Sequence, residues 1–189
     1  MTAIDRLLQR WRISKAKPYV APGARLLDIG CADGEIFRRI PNIGAGIGVD
    51  PDLPATTPPL ANAVLIRGLF PAALPDDEPF DVITLLAVLE HVPAAAQQAL
   101  AMDCARHLKP RGHLVITVPS PLVDHILSML RFFRLIHGMA LEQHYGYDPR
   151  ETATLFAVGG LQLIRARRFQ LGLNNLFVFQ KNASSLIVS

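Results

Sequence analysis

The stretch LLDIGCADG, Leu26 to Gly34, is where this sequence points most directly to chemistry. An aliphatic run ends in a carboxylate, Asp28, and a glycine, Gly30. A tight turn closed by Gly34 then opens a helix, so backbone can approach a ligand where a side chain would block it. Twenty-two residues beyond Asp28, a second aliphatic run, GIGVD, ends in Asp50. An acid at the tip of a second strand, about 20 residues after a glycine turn, is placed to grip a ribose diol through paired hydrogen bonds. Either feature alone is as readily structural, since a strand-end Asp often only caps a helix. Within one strand-turn-helix-strand unit they read together as a nucleoside-binding site.

The elements that must position these residues follow from periodicity. Short aliphatic runs predict strands at Arg25 to Ile29, Ala45 to Val49, Ala63 to Arg67, Phe80 to Leu86 and His113 to Val118. Helical stretches at Gly34 to Ile40 and Ala94 to Leu108 alternate with them, the signature of a parallel sheet covered on both faces. Between the second and third strands, Pro51, Pro54, Pro58 and Pro59 forbid a full crossover helix. After the fifth strand, Leu122, Ile126, Met129, Leu130, Phe133 and Ile136 recur at three- and four-residue steps and predict an amphipathic helix within Pro121 to Leu141. A further helix is predicted at Asp148 to Val158, capped by Asp148 and broken by Gly159-Gly160. Two last strands, Leu161 to Phe169 and Asn175 to Lys181, flank a short Gly172-containing turn and pair as an antiparallel hairpin.

With 50% hydrophobic and 19% charged residues among 189, the chain can fill a core, which excludes disorder as its main state. No apolar run approaches the roughly 20 residues of a membrane-spanning helix. Arg6, Arg10 and Arg12 interleave with Leu7, Leu8 and Trp11, unlike a secretory signal, so a cytoplasmic location with Cys31 and Cys104 as reduced thiols is expected. His107, His113, His125 and His137 lack metal-ligand spacing with Cys or acids, so no metal site is expected. The net charge of +3 is uneven: between Asp28 and Asp103 eleven acids face three bases, Arg38, Arg39 and Arg67. That middle suits a cationic or hydroxyl-rich ligand better than a polyanion, and no nucleic-acid partner is expected.

Here the chain resembles the class I S-adenosylmethionine-dependent methyltransferases, over almost its whole length. LLDIGCADG is similar to their first motif, GVD to their second, FDVITLLAVLEHVP (Phe80 to Pro93) to their fourth-strand motif, and LKPRGHLVITVPSP (Leu108 to Pro121) to the turn and strand that follow. The resemblance implies an α/β, Rossmann-like sheet of seven strands in the order 3-2-1-4-5-7-6, strand 7 antiparallel, with helices on both faces. It implies one methyltransferase domain over residues 1–189, comprising an N-terminal helix within 1–20 and an acceptor-covering insertion at 121–147. It implies S-adenosylmethionine as cofactor and S-adenosylhomocysteine as product, with Asp28, Gly30, Cys31, Ala32 and Gly34 facing the methionine end, Asp50 and Pro51 the ribose, and Leu86 at the fourth strand's tip. Two positions depart from the pattern. Ala32 stands where the turn usually has glycine, which is tolerable if its φ stays negative. After the third strand, Arg67-Gly68-Leu69-Phe70 replaces the usual acid, so adenine is expected to rest on Leu69 and Phe70.

Methyl transfer from a sulfonium expels a neutral thioether, so positioning supplies much of the rate and a base is needed only if the acceptor loses a proton. The candidate bases are His91, in the turn after the fourth strand, and His144 with Tyr145 in EQHYGY; a structural role, pinning a turn or packing a loop, is open for each. The Asp/Asn-Pro-Pro-aromatic signature of base-amine methylation is absent, and aromatic residues are only 7%, few for stacking single strands. A small, apolar acceptor under the Pro121 to Leu141 helix is the resulting expectation. The N-terminal helix has three uses open to it: closing over the cofactor, docking on the domain, or peripheral contact with an anionic membrane. The alternatives to an enzyme of this type are a noncatalytic S-adenosylmethionine-binding subunit or scaffold of the same fold and, more distantly, a nicotinamide oxidoreductase. The latter would want glycine where Glu35 stands.

Overall fold

The computed structural model describes residues 3–120 and 147–183. Helix α1 (Ala3–Ala16) runs through a 3-10 turn (Lys17–Tyr19) toward β1 (Arg25–Ile29). There follow α2 (Glu35–Arg39), β2 (Ala45–Asp50), β3 (Ala63–Arg67), β4 (Phe80–Leu86), a 3-10 turn (Leu89–His91), α3 (Ala94–His107) and β5 (Leu108–Pro119). A 3-10 turn (Pro149–Glu151), α4 (Thr152–Leu155), β6 (Leu161–Phe169) and β7 (Asn174–Lys181) complete the described elements. The seven strands form one sheet in the order β3-β2-β1-β4-β5-β7-β6, with β7 antiparallel to both neighbours, as the sequence predicts.

Side-chain alternation divides the core. Leu27, Ile83, Leu85, Leu114, Phe156 and Phe179 pack with Cys104 and Ala105 of α3 on one face. Leu26, Val82, Val115 and Val178 pack with Ile13 and Ala16 of α1 and Ile36 and Phe37 of α2 on the other. Burying each such Leu, Ile or Phe stabilises the fold by about 1.5 to 3 kcal/mol, so α1 is held to the sheet by Ile13 and Ala16, which are 2% and 0% exposed. On β2, a Cβ at Gly46 would meet Phe37 Cε1 at 2.6 Å, so absent side chains let α2 lie close to the strand. The C-terminal end of α3 is closed by Lys181, whose Nζ donates to Ala105 O at 2.7 Å and Leu108 O at 2.8 Å, a cation where the helix dipole favours one.

Two predicted elements differ in extent. The helix expected at Asp148 to Val158 is a 3-10 turn followed by α4 alone. Phe156 turns fully into the core, and Gly159, at φ 57°, passes so near α3 that a Cβ there would lie 2.5 Å from Ala105 Cβ. The Asp148 cap is present, its Oδ1 accepting from Arg150 N at 2.9 Å. Strand β5 begins five residues earlier than expected, because Leu108 pairs with Phe80 before an irregularity at Phe80/Val82 resets the register. The predicted Pro121 to Leu141 helix lies outside the described residues.

Candidate active site

The C-terminal tips of β1, β2 and β4 converge where the glycine turn leaves β1. Gly30, at φ 74°, has no room for a side chain: a Cβ would lie 2.4 Å from Val88 Cγ2. The turn is bound to the tip of β2, with Gly30 N donating to Val49 O at 2.8 Å, and is closed on itself by Gly34 N donating to Cys31 O at 2.8 Å. Ala32 has φ 48°, not the negative value that would make alanine comfortable there. A left-handed alanine costs about 1 to 2 kcal/mol. Its N–H donates to Asp50 Oδ2 at 2.8 Å, a charge-assisted bond that offsets the cost. Asp50 Oδ1 accepts from Asp52 N at 2.8 Å across the turn that contains the exposed Pro51. Two acceptor positions of the Asp50 carboxylate are thus used and two stay available to a diol. Because the amides of Gly30, Cys31, Ala32 and Gly34 all donate within the protein, the turn offers a ligand close contact rather than hydrogen-bond donors.

Asp28 lies one strand deeper and is only 5% exposed. Burial pushes its carboxyl up to about 7; the Thr84 hydroxyl, donating to Oδ1 at 2.6 Å, opposes the shift and the nearby Asp50 charge adds to it. Around Asp28 a pocket is lined by Gln9, Arg12 and Ile13 of α1 together with Gly30, Cys31, Ile36 and Leu86. Helix α1 therefore docks on the sheet and also covers the site, with Gln9 Nε2 reaching Asp33 Oδ1 at 3.3 Å. Burial pulls the Arg12 guanidinium below its ordinary pKa, against the charges of Glu90 and Asp5, and its Nε is buried with no hydrogen-bond partner among the described residues. Thr117 Oγ1 is likewise buried without one, on the strand beside Leu86.

Cys31 is buried, and burial pushes its thiol far above the usual range, as it does for Cys104; neither is a nucleophile near neutrality. Leu69 is exposed beyond β3. The Phe70 ring packs edge-on to His107 at 5.3 Å, at the end of α3, against the core. Of the expected apolar pair, Leu69 is exposed and Phe70 half-buried. His91 ends the 3-10 turn after β4, half-buried, its N–H donating to Val88 O at 2.9 Å. His144 and Tyr145 lie outside the described residues. Among the described residues no group of His, Cys, Asp and Glu is arranged to hold a metal, and no helix is long and apolar enough to cross a membrane.

Sequence reading did not single out Gln9, Arg12, Thr84 or Thr117. Thr84 and Thr117 sit within strands whose aliphatic neighbours hide them. Arg12 carried one legible signal: on a helix it directly precedes Ile13 and lies three residues beyond Gln9, on the side that Ile13 and Ala16 bury.

The methyltransferase domain family matches residues 3–166 of the chain. A ubiquinone biosynthesis O-methyltransferase of Xylella fastidiosa is 29% identical over 169 residues, covering 80% of this chain and 65% of the relative. A tRNA U34 carboxymethyltransferase of Hydrogenovibrio crunogenus is 32% identical over 121 residues, covering 56% of this chain and 36% of the relative. The chain thus spans less than two thirds of the length of these relatives. Among solved structures, magnesium protoporphyrin IX methyltransferase from Synechocystis PCC 6803, with bound SAH, superposes with a TM-score of 0.68 at 13% identity, covering 96% of this chain and 89% of that one, which is a likeness of fold. Because the family match takes in every strand from β1 to β5 and the glycine turn between β1 and α2, this chain belongs to the methyltransferase domain family, with the sheet order of the class I S-adenosylmethionine-dependent methyltransferases.

Proposed function

We propose that this chain transfers the methyl group of S-adenosylmethionine to a small, apolar acceptor bearing a nucleophilic hydroxyl. One observation carries the reading. A buried carboxyl, Asp28, and a half-buried cation, Arg12, whose Nε is buried without a hydrogen-bond partner among the described residues, line one pocket at the strand tips, and Asp50 sits one strand away with acceptor positions to spare. An amino-acid zwitterion at one end and a ribose diol at the other complement this set, so the residues fit the cofactor.

In that arrangement Arg12 holds the carboxylate of the methionine end, Asp28 faces its ammonium, Asp50 takes the ribose hydroxyls, and Leu69 covers adenine. When bound, the cofactor supplies an electrophilic methyl whose leaving group is a neutral thioether. Leu86 at the tip of β4 excludes water beside that methyl, and His91, a few residues on, accepts the proton a hydroxyl acceptor must lose; His144 or Tyr145 is the alternative base. The acceptor class is supported by the name of the ubiquinone-biosynthesis relative and by charge: Asp28, Asp33, Asp50 and Asp52 crowd the tips of β1 and β2, where a polyanion would meet like charge. The tRNA-modifying relative supports a second reading, a nucleic-acid acceptor.

The test replaces Arg12 with Met. Affinity for S-adenosylhomocysteine should fall by about tenfold to a hundredfold, the worth of a charge-assisted hydrogen bond. Affinity for methylthioadenosine, which lacks the amino-acid end, should not change. Equal losses for both ligands would place the methionine end elsewhere, and methylation of transfer RNA but of no phenolic small molecule would favour the second reading.

A further inference from the structure

The outward side of α1 carries two large apolar side chains one helical turn apart, Leu7 and Trp11, 61% and 40% exposed. Beside them, the turn between β6 and β7 presents Leu171 at 97% exposure. Gln170 Nε2 donates to Leu8 O at 3.4 Å, which ties that turn to the helix. Gln170 and Leu171 have φ of 52° and 57°, and Gly172 N donates to Phe169 O at 3.1 Å to close the turn. Two successive left-handed positions in a tight turn are the province of Asn and Gly. A leucine held left-handed and fully in water gives the isolated fold nothing in return for its strain.

A basic strip adjoins this apolar rim. Arg165 pairs with Val178 and Arg167 with Leu176, so both project from the sheet face that Val178 and Leu176 share with α1. Arg165 Nη1 donates to Tyr19 OH at 3.3 Å, which brings the exposed edge strand β6 alongside the end of α1. Lys15 lies two turns from Leu8 on the same side of the helix. The acids on the same helix layer are engaged: Glu35 with Arg10 and Arg39, and Asp5 with a partner of its own.

We propose that this combined α1 and β6 face seats the protein on the surface of an anionic lipid bilayer. Leu7, Trp11 and Leu171 enter the boundary between headgroups and acyl chains, while Lys15, Arg165 and Arg167 meet lipid phosphates, each basic residue contributing about fivefold in affinity at low salt. A nucleic acid would use the basic strip and leave the leucines in water, which is why the bilayer is the better occupant. The rim lies at the strand-tip end of the sheet, since Ser120 N at the end of β5 donates to Leu173 O in the same turn at 2.8 Å. Docking therefore holds the candidate active site near the membrane, whatever the acceptor.

Trp11 is the single tryptophan of the chain and reports directly. The full chain should show a blue-shifted emission and co-sediment with vesicles of equal phosphatidylglycerol and phosphatidylcholine, lose both in 0.5 M salt, and show neither with pure phosphatidylcholine. Leu171→Asn and Arg167→Glu should each weaken vesicle binding about fivefold or more, and Leu171→Asn should keep or raise the melting temperature because Asn tolerates the turn. The proposal is overturned by absence of a shift with anionic vesicles, by equal binding to neutral ones, by variants that bind like the parent, or by a Trp11 shift that duplex RNA produces and vesicles do not.

Discussion

Asp28 couples the site to pH. Its folded carboxyl titrates near 7 and its unfolded one near 3.8, so the folded state binds more protons between those values. Its contribution to stability is complete below about pH 4 and is lost as pH rises toward 7. Melting temperatures of the ligand-free chain and of Asp28→Asn, followed across pH 4 to 8, should therefore converge on the acid side and separate in the variant's favour near neutrality. Parallel curves would mean that Asp28 is ionised throughout. The ammonium of the methionine end favours the Asp28 carboxylate, so affinity for S-adenosylhomocysteine should rise with pH to a plateau above about 7, and Asp28→Asn should flatten that rise. Ala32 offers a second test at this scale. Relief of its left-handed strain in Ala32→Gly should raise stability by about 1 kcal/mol with cofactor affinity unchanged. A lower melting temperature would show that glycine's backbone entropy outweighs the strain.

At the scale of elements, Gly30 is the tightest constraint. Gly30→Ala would press a methyl against Val88 and force φ 74° on a residue that resists it, costing about 1 to 3 kcal/mol and moving the turn away from Asp50. Thermal melting of Gly30→Ala beside Gly23→Ala separates the two causes, because Gly23 shares a positive φ but has nothing within 4 Å of its Cβ position. The clash predicts the larger loss at Gly30. The strands were legible in the sequence because Leu26 to Ile29, Ile83 to Leu85 and Leu114 to Val118 are buried on both faces and so read as aliphatic runs broken only by Asp28, Thr84 and Thr117. What could not be read is where elements meet. Phe70 follows β3 as an adenine-stacking residue would, but the choice between a ligand and His107 depends on where α3 ends in space. Arg12 is one of several bases on α1, and only the burial of Ile13 and Ala16 against the sheet turns it inward to Asp28. Ala32 took its positive φ from the bond to Asp50, a contact 18 residues apart that no local pattern discloses.

For the whole molecule, the arrangement amounts to a sheet whose strand tips gather acids, closed on one side by a basic, partly apolar helix. If His91 is the base, His91→Asn should lower kcat with a hydroxyl acceptor by about a hundredfold or more while the dissociation constant for the cofactor stays unchanged, a split visible in single-turnover measurements. An unaltered kcat would transfer the role to His144 or Tyr145. The central claim, that the Asp28 and Asp50 tips with Arg12 form an S-adenosylmethionine site, is tested most directly by calorimetric titration of the full chain with S-adenosylhomocysteine and, separately, with a nicotinamide dinucleotide. The account predicts saturable heat at one site for S-adenosylhomocysteine, about 2.7 kcal/mol of added stability at a hundredfold excess over the dissociation constant, and weakening in Asp50→Asn. Heat from the dinucleotide with none from S-adenosylhomocysteine would contradict it.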